Sequence, residues 1–133
     1  MSARSVVVDA SALAAIIFGE DGAEAVMARL EGAALNVPAL LKFEVTHAAV
    51  KKARQNPRLA PEIFQRLDSA LDPRRGLRWH DVNATDVAII ARDTGLSAYD
   101  ASYLWLAGWL EADLVTLDQR LSEALGLDSE RIL

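Results

Sequence analysis

Ser5 is followed by Val6, Val7 and Val8 with no polar interruption, a pattern that predicts a strand covered on both faces. Asp9 ends it, and the apolar positions from Ala10 to Phe18 predict a helix stopped by Gly19. Gly22–Leu30 carries Ala25, Val26, Met27 and Leu30 at helical spacing, and Ala34–Val37 is a second short strand. Pro38 reads as the first-turn proline of a long helix that runs to Gln55 and breaks at Asn56–Pro57. Pro61–Leu71 is a further helix, Leu77–Val82 a third strand, and Ala84–Asp93 a helix with Asn83 and Asp86 at capping-box spacing and Gly95 at its end. Ala98–Ala112 is helical, Leu114–Leu117 is a fourth strand, Gln119–Leu125 is a helix ended by Gly126, and Arg131–Leu133 is an expected edge strand.

Short apolar runs alternating with helices predict an α/β fold: one α/β/α sandwich over residues 1–133, with a central parallel sheet of four to five strands. No linker or repeat divides the chain. Ligands in such folds bind beyond the carboxyl ends of strands, where the strand order reverses. Polar residues just after the strands are therefore the candidates for chemistry.

Composition narrows the classes. An apolar share of 52% and a charged share of 25% over 133 residues exclude a disordered or collagen-like chain. With no cysteine there is no disulfide scaffold, zinc–thiolate site, iron–sulfur cluster or thiol nucleophile. The longest nearly apolar stretch, Val6–Phe18, is interrupted by Asp9 and Ser11 and falls short of the ~20 residues a membrane span needs. With Arg4 as the only basic residue before it, it is also a poor leader. The expectation is a soluble cytoplasmic protein. The net charge of −5 argues against a nucleic-acid partner until its distribution is read. From Lys42 to Arg78 there are nine Lys/Arg and four acids; the rest of the chain holds the remaining five basic and fifteen acidic residues. A basic third of the chain is a candidate phosphate contact, and a solvated helix surface explains it equally well.

Four acids stand out. Asp9 and Asp118 each follow an apolar strand, so both carboxylates can converge on one sheet edge. Glu44 lies between Phe43 and Val45 inside a helical stretch, and Asp100 lies in the first turn of the helix after Gly95. Each has a plain structural explanation: Asp9 and Asp118 as N-caps, Ser97 and Asp100 as a near capping box, Glu44 as a solvated helix residue. Capping leaves unexplained why both strand-end acids share one edge. Two like charges ~4 Å apart repel by roughly 4 kcal/mol at an effective dielectric of 20, so four together call for a cation or for protons. Carboxylates without His or Cys make a hard oxygen site suited to Mg²⁺ or Mn²⁺, which can activate water against a phosphodiester.

At these residues the chain resembles PIN-domain ribonucleases, and among them the VapC-type toxins of toxin–antitoxin pairs. The resemblance rests on Val-Val-Val-Asp-Ala-Ser-Ala-Leu at 6–13, Leu-Leu-Lys-Phe-Glu-Val at 40–45, Gly-Leu-Ser-Ala-Tyr-Asp-Ala-Ser-Tyr at 95–103 and Leu-Val-Thr-Leu-Asp-Gln-Arg-Leu at 114–121. Each segment alone is a weak match, and four in this order are a strong one. The resemblance implies that Asp9, Glu44, Asp100 and Asp118 are the catalytic, metal-binding acids, with Mg²⁺ or Mn²⁺ as cofactor. It implies that Thr116 and Ser11 are supporting hydrogen-bonders. It further implies endonucleolytic hydrolysis of RNA (tRNA, rRNA or mRNA) by water, leaving a 5′-phosphate and a 3′-hydroxyl. A homodimer and a cognate VapB-type antitoxin are the implied partners.

Other residues carry less. His47 and His80 match no metal spacing and read as surface or satisfied half-buried residues, with a peripheral substrate contact open for His47, three residues after Glu44. Trp105 and Trp109, four apart, read as core, or failing that as a dimer or antitoxin surface. Asp81 and Asp93 read as loop or helix-end acids, Asp113 precedes the fourth strand away from its carboxyl end, and Arg74-Arg75 read as turn residues. No Walker loop, GxGxxG or GxSxG is present. The alternatives are a non-catalytic binding module on the same fold, and a doubly wound phosphotransfer domain. The second lacks the Asp expected two residues after Asp9, where Ser11 stands, and the paired acids and late lysine of a receiver.

Overall fold

The computed structural model describes residues 3–125. Ser5–Val8 forms β1, whose three valines are fully buried, as an uninterrupted apolar strand must be when both sheet faces are covered. Ala10–Phe18 (α1) and Ala23–Leu30 (α2) lead to β2, Ala34–Pro38. Leu41–Gln55 (α3) and Ala60–Leu71 (α4) lead to β3, Arg78–His80; Ala84–Thr94 (α5) and Ala98–Leu110 (α6) lead to β4, Asp113–Val115, followed by α7, Gln119–Ala124.

The four strands are parallel and lie in the order β3-β2-β1-β4. Two crossovers step one way along the sheet, with α1–α4 packed together, and the third steps back past β1, with α6 packed on the sheet and α5 against α6. The packing agrees: α1 lies against α2, α3 and α4, whereas α6 packs on β1, β2 and β4. Leu13, Leu41, Val45, Leu106, Leu114 and Leu121 close a continuous core around the central strands. The α/β/α sandwich is as expected, with four strands among the described residues. The expected edge strand at 131–133 and the Gly126 stop lie outside them. Among the described residues no helix is long and apolar enough to cross a membrane.

Three expectations change. Pro38 does not open a helix: it is the last residue of β2, paired in register with His80, and α3 begins at Leu41. Proline's fixed φ suits an extended strand end as well as a first helical turn, and the Ala39 amide carries the ladder on by donating to the His80 carbonyl at 2.9 Å. Trp109 is not core: it is 70% exposed, and half-buried Trp105 stacks on it at 5.4 Å while donating from Nε1 to Asp86. Asp113 is the first residue of β4 rather than the residue before it, and it faces Arg4, away from the carboxyl edge as expected.

Candidate active site

The order reverses between β1 and β4, so the carboxyl ends of these neighbours form the crevice expected of such a sheet. Asp9 leaves β1 and Asp118 follows β4. Both are also helix caps: Asp9 Oδ1 accepts from the Ala12 amide at 2.9 Å, and Asp118 Oδ1 from the Leu121 amide at 3.1 Å. The capping explanation therefore holds, and it does not compete with a functional one, because a short polar side chain that turns the chain from strand into helix stands at the sheet edge by the same act.

Asp9 is only 3% exposed. Its Oδ1 also accepts from Ser11 Oγ at 2.8 Å, and its Oδ2 from Thr116 Oγ1 at 2.5 Å. Thr116 Oγ1 in turn accepts from the Asp118 amide at 2.9 Å, and Ser11 Oγ from the Leu117 amide at 3.0 Å. These bonds tie the end of β1 to the loop after β4 across more than a hundred residues of chain. Ser11 and Thr116 thus both hydrogen-bond directly to Asp9.

Glu44 approaches from the first turn of α3. It is half-buried rather than solvated, and its Oε1 accepts from the hydroxyl of Tyr103 at 2.5 Å. Tyr103 is almost wholly buried in α6, three residues after Asp100. Asp100 sits in the first turn of α6, where its amide donates to Ser97 Oγ at 3.1 Å.

The four carboxylates feel one another. Burial pushes the Asp9 carboxyl above its ordinary value; hydrogen bonds from Thr116, Ala12 and Ser11 oppose the rise, and the Asp118 charge adds to it. Burial also raises Glu44, against the Tyr103 hydrogen bond, and the charges of Asp100 and Asp9 raise it further. Burial and the Asp118 charge raise Asp100, with Arg120 and Ser97 opposing. The Tyr103 hydroxyl is held firmly protonated by burial, by its bond to Glu44 and by the charges of Glu44 and Asp9. Four acids from four separate segments therefore share one electrostatic field. Among the described residues, as their side chains stand, no three such groups are close enough to grip one ion. The donor set is nonetheless all oxygen and net negative, the chemistry a hard divalent cation requires.

Tyr103 is the residue that sequence reading missed. Its signal was its place three residues after Asp100, on the same side of a helix whose first turn carries a site acid. His47 is exposed and adjoins Glu44 in a surface groove, and His80 is half-buried with Nε2 at 2.8 Å from Asn36 Oδ1. Asp81 lies in the loop after β3, Asp93 pairs with Arg92, and Arg74 pairs with Asp72.

Comparison with known proteins places this geometry. Residues 6–126 match the PIN domain family. The chain is 32% identical over 120 residues to ribonuclease VapC3 of Pyrobaculum aerophilum, covering 88% of this chain and 92% of that protein. It is 33% identical over 126 residues to ribonuclease VapC9 of Mycobacterium tuberculosis, covering 89% of each. Among solved structures, that of PAE2754 from Pyrobaculum aerophilum superposes with a TM-score of 0.74 at 27% identity, over 92% of this chain and 87% of that one. On the family match and the extent of these likenesses, the chain belongs to the PIN-domain family and, within it, to the VapC type.

Proposed function

We propose that the protein is a metal-dependent endoribonuclease that acts as the toxin of a toxin–antitoxin pair. The observation that carries this reading is the shared field of Asp9, Glu44, Asp100 and Asp118 at the switch point of the sheet. The relatives named as ribonucleases supply the substrate class. Asp9, Glu44, Asp100 and Asp118 would hold Mg²⁺ or Mn²⁺. Such a cation, when bound, supplies charge neutralisation and an acidified water for attack on the phosphodiester.

The chain's own residues prepare that site. Ser11 and Thr116 fix the two oxygens of Asp9, and the cap of α7 fixes Asp118. Tyr103 donates to one oxygen of Glu44 and so fixes that side chain. Hydrolysis by water at this site leaves a 5′-phosphate and a 3′-hydroxyl. Exposed Trp109, stacked on Trp105, is the candidate homodimer contact, and a VapB-type antitoxin is the expected silencing partner.

The test uses purified protein, RNA, and Mg²⁺, Mn²⁺ or EDTA. Asp9→Asn and Asp100→Asn should each abolish metal-dependent cleavage and growth arrest while the circular dichroism spectrum stays that of the parent. A double variant that cut as fast as the parent would refute the assignment. A second reading, a binding module without catalysis, draws on the present spacing of the acids. It requires that calorimetry detect no Mn²⁺ uptake that depends on Asp9.

A further inference from the structure

Beside the acids lies a groove of about 670 Å³, lined by Leu40, Phe43, Glu44, His47 and Tyr99. That volume is within the ~300–1,000 Å³ of small-ligand sites. Glu44 is both a wall of the groove and a member of the acid set, so whatever fills the groove lies directly against the reacting centre. The rest of the lining is unusual for a surface. Phe43 is 75% exposed and Tyr99 63%, two aromatic rings left in water in a groove that a carboxylate also lines. Neither contributes to the core, and the fold gives no reason for either. Beyond Phe43, exposed His47, Lys51 and Arg54 follow on the same side of α3 at four-, four- and three-residue steps. Among the described residues Lys51 and Arg54 have no carboxylate partner, whereas Lys52, Arg66 and Arg74 do.

We propose that this groove takes an unpaired nucleobase of the RNA next to the bond to be cut, stacked on Phe43 and Tyr99, with the adjoining phosphates passing over His47, Lys51 and Arg54. The inference rests on the ribonuclease reading and adds a specificity subsite to it. Each element follows from chemistry. Aromatic rings in a groove offer stacking to any base, and a carboxylate wall repels phosphate. Cations placed further along the helix attract the backbone that the wall turns away. A structured duplex cannot use the groove, because its bases are already stacked.

The probe is obtained from the protein itself. Total bacterial RNA is incubated with the wild type and Mn²⁺, its new 5′ ends are sequenced, and an oligonucleotide spanning a mapped cut is synthesised. Binding is read by fluorescence anisotropy with Ca²⁺, and cleavage separately with Mn²⁺. Phe43→Ala and Tyr99→Ala should each weaken binding roughly 5- to 150-fold, the range for loss of one base–aromatic stack. Phe43→Trp, which keeps a ring, should bind like the parent, as should Phe64→Ala, an exposed phenylalanine of α4 outside the groove. One abasic position beside the cut should cost the wild type a similar factor and the Phe43→Ala/Tyr99→Ala variant nothing. Mn²⁺ affinity by calorimetry should be unaltered by either alanine. If both alanine variants bind intact and abasic probes as the wild type does, the subsite is wrong and the groove faces a protein partner instead. If the wild type yields no new 5′ ends in any RNA, the ribonuclease reading itself fails and takes the subsite with it.

Discussion

Thr116→Val removes one hydroxyl and keeps the shape of the side chain. That hydroxyl donates to Asp9 Oδ2 at 2.5 Å and accepts from the Asp118 amide at 2.9 Å, so the substitution breaks both links between the two strand-end acids. A hydrogen bond to a charged acceptor contributes about 1.5–3 kcal/mol, and a neutral one about 1 kcal/mol. Thr116 is half-buried, so water recovers part of the loss, and the hydroxyl's own desolvation is recovered too. The net cost should be about 2–3 kcal/mol. For a chain of this length that is a fall in Tm of roughly 6–12 °C.

The pH dependence follows from Asp9. Its folded pKa is already raised by burial, and the Thr116 bond is the largest influence opposing that rise, so losing it raises the pKa further. A group with a raised folded pKa contributes its full stability below the unfolded value and loses it as pH climbs through the folded one. The gap between variant and parent should therefore be widest at neutral pH and narrow as acid protonates Asp9. Urea unfolding in EDTA at several pH values measures it. In an Asp9→Asn background the cost should drop to ~1 kcal/mol, because the charged share is gone. A cost below ~0.5 kcal/mol in the parent, or an equal cost in both backgrounds, refutes the bridging role.

The carboxyls of Asp9, Glu44 and Asp100 are all raised from reference values of 3.8, 4.5 and 3.8, so in EDTA the Tm should rise as pH falls from neutral, and Glu44→Gln should flatten that slope. Adding Mn²⁺ at neutral pH should restore the loss, by ~2.7 kcal/mol at a hundredfold excess over its Kd; a flat pH profile with no Mn²⁺ shift rules out a shared pocket. Asn36 is 3% exposed and donates to the carbonyls of Val6 and Ala34 at 3.2 Å, so Asn36→Leu should cost about 1–3 kcal/mol in urea unfolding by leaving these acceptors and His80 without it. Trp109→Ala should lower the stability of the isolated fold by under ~1.5 kcal/mol, its share of the stack with Trp105, while sedimentation shows the dimer lost; an unchanged sedimentation coefficient removes Trp109 from the contact.

Strands and helices were legible wherever local pattern and tertiary demand coincide. β1 reads as buried because three valines in a row suit a strand covered on both faces, and α1 reads well because Gly19 in left-handed conformation stops it. Pro38 misled because its fixed φ serves two different elements, and only pairing with β3, about forty residues away, decides between them. Trp109 misled because helical spacing shows which residues share a face but not whether anything covers it. Asp9 and Asp118 were legible as candidates because a polar residue directly after a buried strand stands at the sheet edge, whereas Glu44 and Asp100, each in the first turn of a helix, stood out only through the family resemblance. Tyr103 was not legible: its place after Asp100 put it on the right side of α6, but its bond to Glu44, 59 residues earlier, is encoded in no local pattern.

The double duty of Asp9 and Asp118 bears on how an inert form of this protein should be made. On the proposed mechanism, truncation to alanine removes a metal-holding acid and at the same time unpins the first turn of α1 or α7, at ~0.5–2 kcal/mol each. A protein so altered loses function for two reasons that no activity assay separates. Asparagine keeps the oxygen that receives the Ala12 or Leu121 amide and discards only the negative charge. Variants built to test the proposed ribonuclease activity should therefore carry the amide at these two positions.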